Sequence, residues 1–133
     1  MRRPSSAVLM SPWVMLSEFQ RPGFEPQGDW LDEATLQMCS KMYLNSNRGG
    51  GWQHCIENWS LGEPLPPLMV QVGTSELLYA DAKHVVNVAQ KRRGFVELCE
   101  YPEMFHNWHF FNRFVNEADH AMKHAAQFIN RHS

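Results

Sequence analysis

The sequence predicts an α/β fold of parallel strands joined by crossover helices, with a helical insertion after the first strand. Three observations carry this. Apolar runs at Ala7–Met10 and 68–72 are nearly free of polar residues, as strands buried on both faces of a parallel sheet are. A helical period fills the stretch between 68–72 and a third strand at Val96–Tyr101, and parallel neighbours need such a crossover. A second helical period closes the chain after a loop rich in histidine and aromatic residues.

The first strand is bounded by Ser11-Pro12, and the proline breaks it. Residues 18–28 are rich in Pro, Gly and charge without a period, which reads as a loop. Asp29 is placed to cap a helix over 30–44, whose Leu31, Ala34, Met38 and Met42 recur at spacings of three and four and are expected to face inward. Residues 45–51 form a flexible turn, and the prolines of 52–67 resist a central strand. After 68–72, Gly73-Thr74-Ser75 makes a turn. The helix that follows runs to about residue 93, with Leu78, Ala82, Val85, Val86 and Ala89 inward and Gly94 as its stop. Asn116 is placed to cap the last helix, whose expected face is Ala118, Ala121, Met122, Ala125, Phe128 and Ile129.

Three strands cannot enclose a doubly wound core, so 1–133 reads as a partial domain. Residues 17–64 form an insertion or cap-like segment, and 65–133 form the segment carrying an acid and a histidine. With 44% hydrophobic and 20% charged residues the chain is globular. A net charge of −2 gives no reason to expect nucleic acid or an anionic membrane as partner. Trp52, Trp59 and Trp108 come with no basic patch and read as core or pocket residues. Cys39, Cys55 and Cys99 lack C-x-x-C spacing and read as reduced thiols. The four-residue apolar run near the N-terminus is shorter than the roughly 7–15 residues of a secretory h-region. A cytoplasmic chain with no membrane segment is the expectation. The sequon at Asn58-Trp59-Ser60 then carries little weight.

The chemistry lies between residues 65 and 111. A carboxylate follows one strand and an imidazole follows the next, the order of the later members of a nucleophile–histidine–acid triad. His106 stands in the loop after the third strand, where an imidazole can shuttle a nucleophile's proton. His109 is its neighbouring rival. Glu76 follows the second strand and is the acid candidate, with Asp81 the alternative; a plain helix-start acid is the competing reading for Glu76. Ser75 is not a nucleophile, because position 77 is leucine and the elbow's second glycine is missing. Gly49-Gly50-Gly51 follows a helix and lacks a preceding histidine, so it reads as a turn and not as an oxyanion loop. His120 and His124 stand four apart, but Ala121 breaks H-E-x-x-H. They read as a solvated helix face, and neither metal nor cofactor is expected.

The phrases SPWV at 11–14, LPPLMVQVGTSELLYADA at 65–82 and EYPEMFHNW at 100–108 resemble the C-terminal part of α/β-hydrolases of the hormone-sensitive lipase and arylacetamide deacetylase-like esterase family. That resemblance implies a serine esterase or lipase acting on small-molecule carboxylic esters, with His106 and Glu76 as catalytic residues. It also implies that the nucleophile elbow and oxyanion loop lie upstream of the matched region, so the chain alone is expected to be inactive. A non-catalytic ligand-binding or interaction protein on the same fold is the alternative, and self-association into a homo-oligomer is open. Two departures from the family stand out. Met15 replaces a usual Asp. Glu103 replaces a usual glycine, where a left-handed backbone costs a side chain about 1 kcal/mol.

Overall fold

A computed structural model describes residues 4–16, 28–46, 56 and 65–133. The loop expected over 18–28 falls almost wholly outside these residues, as do Gly49–Gly51, Trp52, Cys55 and the Asn58 sequon. Three parallel strands form one sheet: β1 (Ala7–Met10), β2 (Leu68–Gly73) and β3 (Val96–Tyr101), in the order β1-β2-β3. The register pairs Ala7 with Leu68 and Leu68 with Val96. The central strand is buried along its whole length, which is why it is apolar on both faces apart from Gln71.

Side chains alternate across the sheet with period two, and each face has its own helix. Leu9, Val70, Val72, Val96 and Leu98 pack on α2 (Tyr79–Lys91) through Ala82, Val85, Val86 and Val88. Val8, Met10, Met69 and Cys99 meet Ala125 and Phe128 of α3 (Asn116–Arg131) on the other face. The alanines on α3 let the helix approach closely, so Tyr101 and Trp108 fill the space against Ala118 and Ala121. The result is three layers, helix–sheet–helix.

The inward face expected of α2 is buried as read. Its stop is displaced by one residue: Arg93, not Gly94, takes the left-handed conformation at φ 55°. Gly94 N–H bonds Ala89 C=O at 3.0 Å and Arg93 N–H bonds Gln90 C=O at 2.9 Å, the double closure of a Schellman end. The last helix is buried on a narrower stripe than expected. Ala118, Ala121, Ala125 and Phe128 are inside, while Met122 and Ile129 are exposed. Asn116 is the first helical residue, and extended Val115 holds the cap position without a side-chain bond.

The insertion helix α1 (Glu33–Ser46) corrects two expectations. Its cap is Asp32, which accepts from Thr35 N–H at 2.8 Å, and not Asp29. Its docked face holds Leu36, packed on Leu77, Leu78, Trp13 and Leu31, and the buried Ser40, whose hydroxyl donates to Leu16 C=O at 2.5 Å. Met38 and Met42 point to solvent. Apolar residues lie on more than one side of this helix, so the period at 34, 38 and 42 marks a stripe that the core does not use. No helix among the described residues is long and apolar enough to cross a membrane.

Candidate active site

β2 ends at Gly73, and the chain turns through Thr74 and Ser75 to Glu76. A Cβ on Gly73 would stand 2.1 Å from the carbonyl oxygen of Met104. Glycine here lets the turn after β2 and the loop after β3 touch backbone to backbone. Ser75 N–H adds a bond to the same Met104 carbonyl at 3.2 Å. The acid-bearing turn and the histidine-bearing loop are therefore fastened together before any side chain is considered.

Glu76 is fully buried. Its Oε1 accepts the Ser11 hydroxyl at 2.8 Å and Gly73 N–H at 2.6 Å, which leaves Oε2 facing His106 Nδ1 at 3.4 Å. A buried carboxylate needs such donors. Glu76 lies three residues before α2 begins, so the helix-start reading does not describe it. Asp81 is in the first turn of α2, buried, with Oδ1 accepting Val14 N–H at 2.9 Å and Met15 N–H at 2.8 Å. It fastens the segment that leaves β1. The carboxylate that faces His106 Nδ1 is that of Glu76.

His106 is held at every polar atom. Its N–H donates to Asp29 Oδ1 at 2.9 Å and its C=O accepts from Trp30 Nε1 at 2.8 Å. Its Nε2 lies 2.8 Å from Asn107 Nδ2. With Nδ1–H aimed at Glu76, Nε2 carries the lone pair and accepts from the Asn107 amide. The Trp30 ring stands beside the imidazole at 5.4 Å between centroids.

His109 has a different place. It is buried, and its Nε2 lies 3.1 Å from Gln71 Oε1, while Gln71 Nε2 donates to Ala121 C=O at 2.9 Å. This accounts for the one polar residue inside β2. Burial, and secondarily the neighbouring His106, push the His109 imidazole down to about 4. It stays neutral inside the core, joining β2 to the loop. Cys99 has its thiol pushed up to about 11 by burial and the Glu97 carboxylate, which disfavours the thiolate.

Four residues of the site escaped the sequence reading. Ser11 stands at φ 46°, buried, donating to Glu76 and accepting Asn107 N–H at 3.2 Å. Asp29 also accepts Leu77 N–H at 2.8 Å through Oδ2, so one carboxylate ties both catalytic-candidate segments to the insertion. Trp30 and Asn107 complete the set. The SPWV phrase was the available signal for Ser11; Asp29 gave none beyond its match to a helix cap.

The fold and this constellation define an α/β-hydrolase. The sequence profile of the alpha/beta hydrolase fold family matches residues 1–110, and the chain belongs to that family, on its hormone-sensitive lipase-like side. An acetyl-hydrolase of Streptomyces hygroscopicus is 34% identical over 133 residues, covering 95% of this chain and 42% of the relative. An esterase of Acinetobacter venetianus is 33% identical over 129 residues, covering 94% of this chain and 42% of the relative. A hormone-sensitive lipase from a metagenome library superposes with a TM-score of 0.84 at 27% identity, over 98% of this chain and 45% of that one. An esterase/lipase from an uncultured bacterium gives 0.85 at 23%, over 99% and 44%, and speaks to the fold alone. The chain thus spans less than half the length of these relatives.

Proposed function

We propose that this chain supplies the acid and histidine of a carboxylic ester hydrolase working by a serine mechanism, with Glu76 and His106 in those roles. The observation that carries it is the 3.4 Å approach of Glu76 Oε2 to His106 Nδ1, with Oε1 fixed by Ser11 and Gly73. Apo triads commonly sit at such long separations and tighten with substrate. Glu76 orients the ring and stabilises its cation. His106 Nε2 takes the proton of a serine hydroxyl contributed by sequence outside this chain, and that oxygen attacks the ester carbonyl. The same proton then passes to the leaving alcohol, giving an acyl-enzyme that water, deprotonated by His106, hydrolyses. Asn107 occupies Nε2 in the meantime, and its amide must yield to the nucleophile. The substrate is a small-molecule ester, and the mechanism needs no cofactor.

The test is a chimera in which this chain replaces the matching segment of the Streptomyces hygroscopicus acetyl-hydrolase. It should hydrolyse p-nitrophenyl acetate, and His106→Ala should lower kcat by roughly 10³-fold or more. A folded chimera whose rate survives His106→Ala refutes the assignment. Residues 1–133 alone should release p-nitrophenol no faster than free imidazole, because the nucleophile and oxyanion donors carry most of the transition-state stabilisation. Labelling of one serine by a fluorophosphonate would contradict that.

A further inference from the structure

The face of β3 turned toward α3 carries a cluster that the esterase reading does not use. Glu97 and Cys99 are two residues apart on the strand and share that face, and His124 of α3 meets them. The imidazole Nε2 lies 2.9 Å from Glu97 Oε1, Cys99 Sγ lies 3.7 Å from His124 Nδ1, and Sγ lies 3.8 Å from Glu97 Oε1. All three side chains are half-buried, and one donor atom from each falls within 4.8 Å of the others. His124 thus faces the β3 side chains as well as the solvated side of α3. We propose that Glu97, Cys99 and His124 form a three-ligand site for zinc or a similar borderline divalent cation, stapling β3 to α3.

The geometry fits that ion. Zinc binds thiolate at about 2.3 Å and imidazole nitrogen or carboxylate oxygen at about 2.0–2.2 Å, so tetrahedral ligand atoms stand roughly 3.3–3.6 Å apart. Only one imidazole nitrogen can bind the ion, and with one donor atom from each residue within 4.8 Å of the others the three reach that arrangement with shifts of roughly an ångström. A sulfur, nitrogen and oxygen set favours zinc over calcium or magnesium, which take oxygen alone. The outer support is present: Arg131 stands 3.4 Å from Glu97 Oε2 and leaves Oε1 as the ligand atom. A surface cleft of about 340 Å³, lined by His120, Lys123, His124 and Gln127, opens beside His124. The fourth position falls to water. On binding, the thiol proton and any proton on the coordinating nitrogen of His124 pass to solvent, the other ring nitrogen keeps its proton, and the metal takes one lone pair from each of the three ligands. Glu97 and Cys99 lie within β3, whereas His106 follows its end, so the site is separate from the proposed catalysis.

Cobalt is the probe, titrated into metal-free, reduced 1–133. The expected result is a thiolate-to-cobalt charge-transfer band with intense tetrahedral visible bands, which zinc bleaches. The spectrum should persist in the Cys39→Ser/Cys55→Ser double variant and vanish in Cys99→Ser. His124→Gln should raise the zinc dissociation constant at least tenfold and serves as a second variant should Cys99→Ser not fold. Zinc should raise the melting temperature of the native chain and not that of the variants. A native chain that gives no charge-transfer band in excess cobalt overturns the proposal. So does a band that survives in Cys99→Ser.

Discussion

The backbone N–H of His106 is bonded to the Asp29 carboxylate at 2.9 Å, across a separation of 77 residues. The other oxygen of that carboxylate holds Leu77 N–H, next to Glu76. One side chain from the insertion thus fixes the spacing between the acid-bearing turn and the histidine-bearing loop, and Trp30 adds a bond to the His106 carbonyl. Asp29 touches no reacting atom. In the proposed mechanism it would be a positioning residue, and misplacement by about 1 Å can cost on the order of 100-fold in rate.

In the chimera, Asp29→Ala should lower kcat by roughly 10- to 100-fold with KM little changed. Asp32→Ala, which removes the α1 cap a few residues away, should cost about 1 kcal/mol of stability and leave kcat alone. Steady-state kinetics and urea melts on both variants separate the two effects. Equal kcat for Asp29→Ala and the parent would reduce Asp29 to a structural tie.

Gly73 should tolerate no side chain. A Cβ would meet the Met104 carbonyl oxygen at 2.1 Å and its carbon at 2.5 Å, and both are backbone atoms that cannot swing away. Gly73→Ala should destabilise by about 3 kcal/mol, at the upper end of overpacking costs, and should separate Glu76 from His106. Denaturant midpoints report the first effect and loss of chimera activity the second.

The sheet and the face of α2 were legible because each rests on a local pattern that tertiary contacts reinforce. β2 is apolar where it is buried, and α2 presents one apolar stripe to one sheet face. α1 was misread because Leu36 and Ser40 dock while Met38 and Met42 stay outside, and spacing alone cannot choose between competing apolar stripes. In the site, the order acid, then histidine, was readable from loops after strands. The supports were not. Ser11 and Asp29 act through contacts 48 to 96 residues long, and Asp29 matched a helix cap so well that its real partners left no trace in the local sequence.

Of the four described non-glycine residues with left-handed backbone, Ser11 and Asn107 belong to the site, and the other two sit where glycine would cost less. Arg93 sits at φ 55° where α2 ends and Glu103 at φ 61° before the histidine loop. Arg93→Gly and Glu103→Gly should each stabilise by about 0.5–1 kcal/mol, the relieved strain being partly offset by the greater freedom of glycine in the unfolded chain. Chemical melts of the single variants measure it. The double variant should show near-additive gains, the two turns lying at opposite ends of β3.

Stability should fall in mild acid through His109. Its folded value of about 4 lies below its ordinary 6.5, so the unfolded chain binds a proton that the folded chain refuses. The stabilisation is complete above about pH 6.5 and is lost as pH falls from there toward 4, a total on the order of 3 kcal/mol. His109→Gln keeps a donor toward Gln71 and cannot titrate. Its melting temperature should be flatter than that of the parent across that window. Parallel curves for the two proteins would assign the acid sensitivity to other groups.

The isolated chain should self-associate. Trp30, Met42, Phe110 and Phe114 are 62%, 67%, 81% and 86% exposed, more large apolar surface than a freestanding domain of this size ordinarily shows to water. Trp13, by contrast, is packed on Leu36, Leu77 and Leu78 and contributes little. Among the described residues β1 and β3 each pair on one side, and an unpaired edge offers its backbone to another chain. Sedimentation of 1–133 should therefore show dimers or larger species, with binding of a hydrophobic dye. Phe110→Ser combined with Phe114→Ser should shift the distribution toward monomer if the aromatic patch drives association. An unchanged distribution would assign association to the strand edges, and a dye-silent monomer with one cooperative melt would refute the expectation altogether.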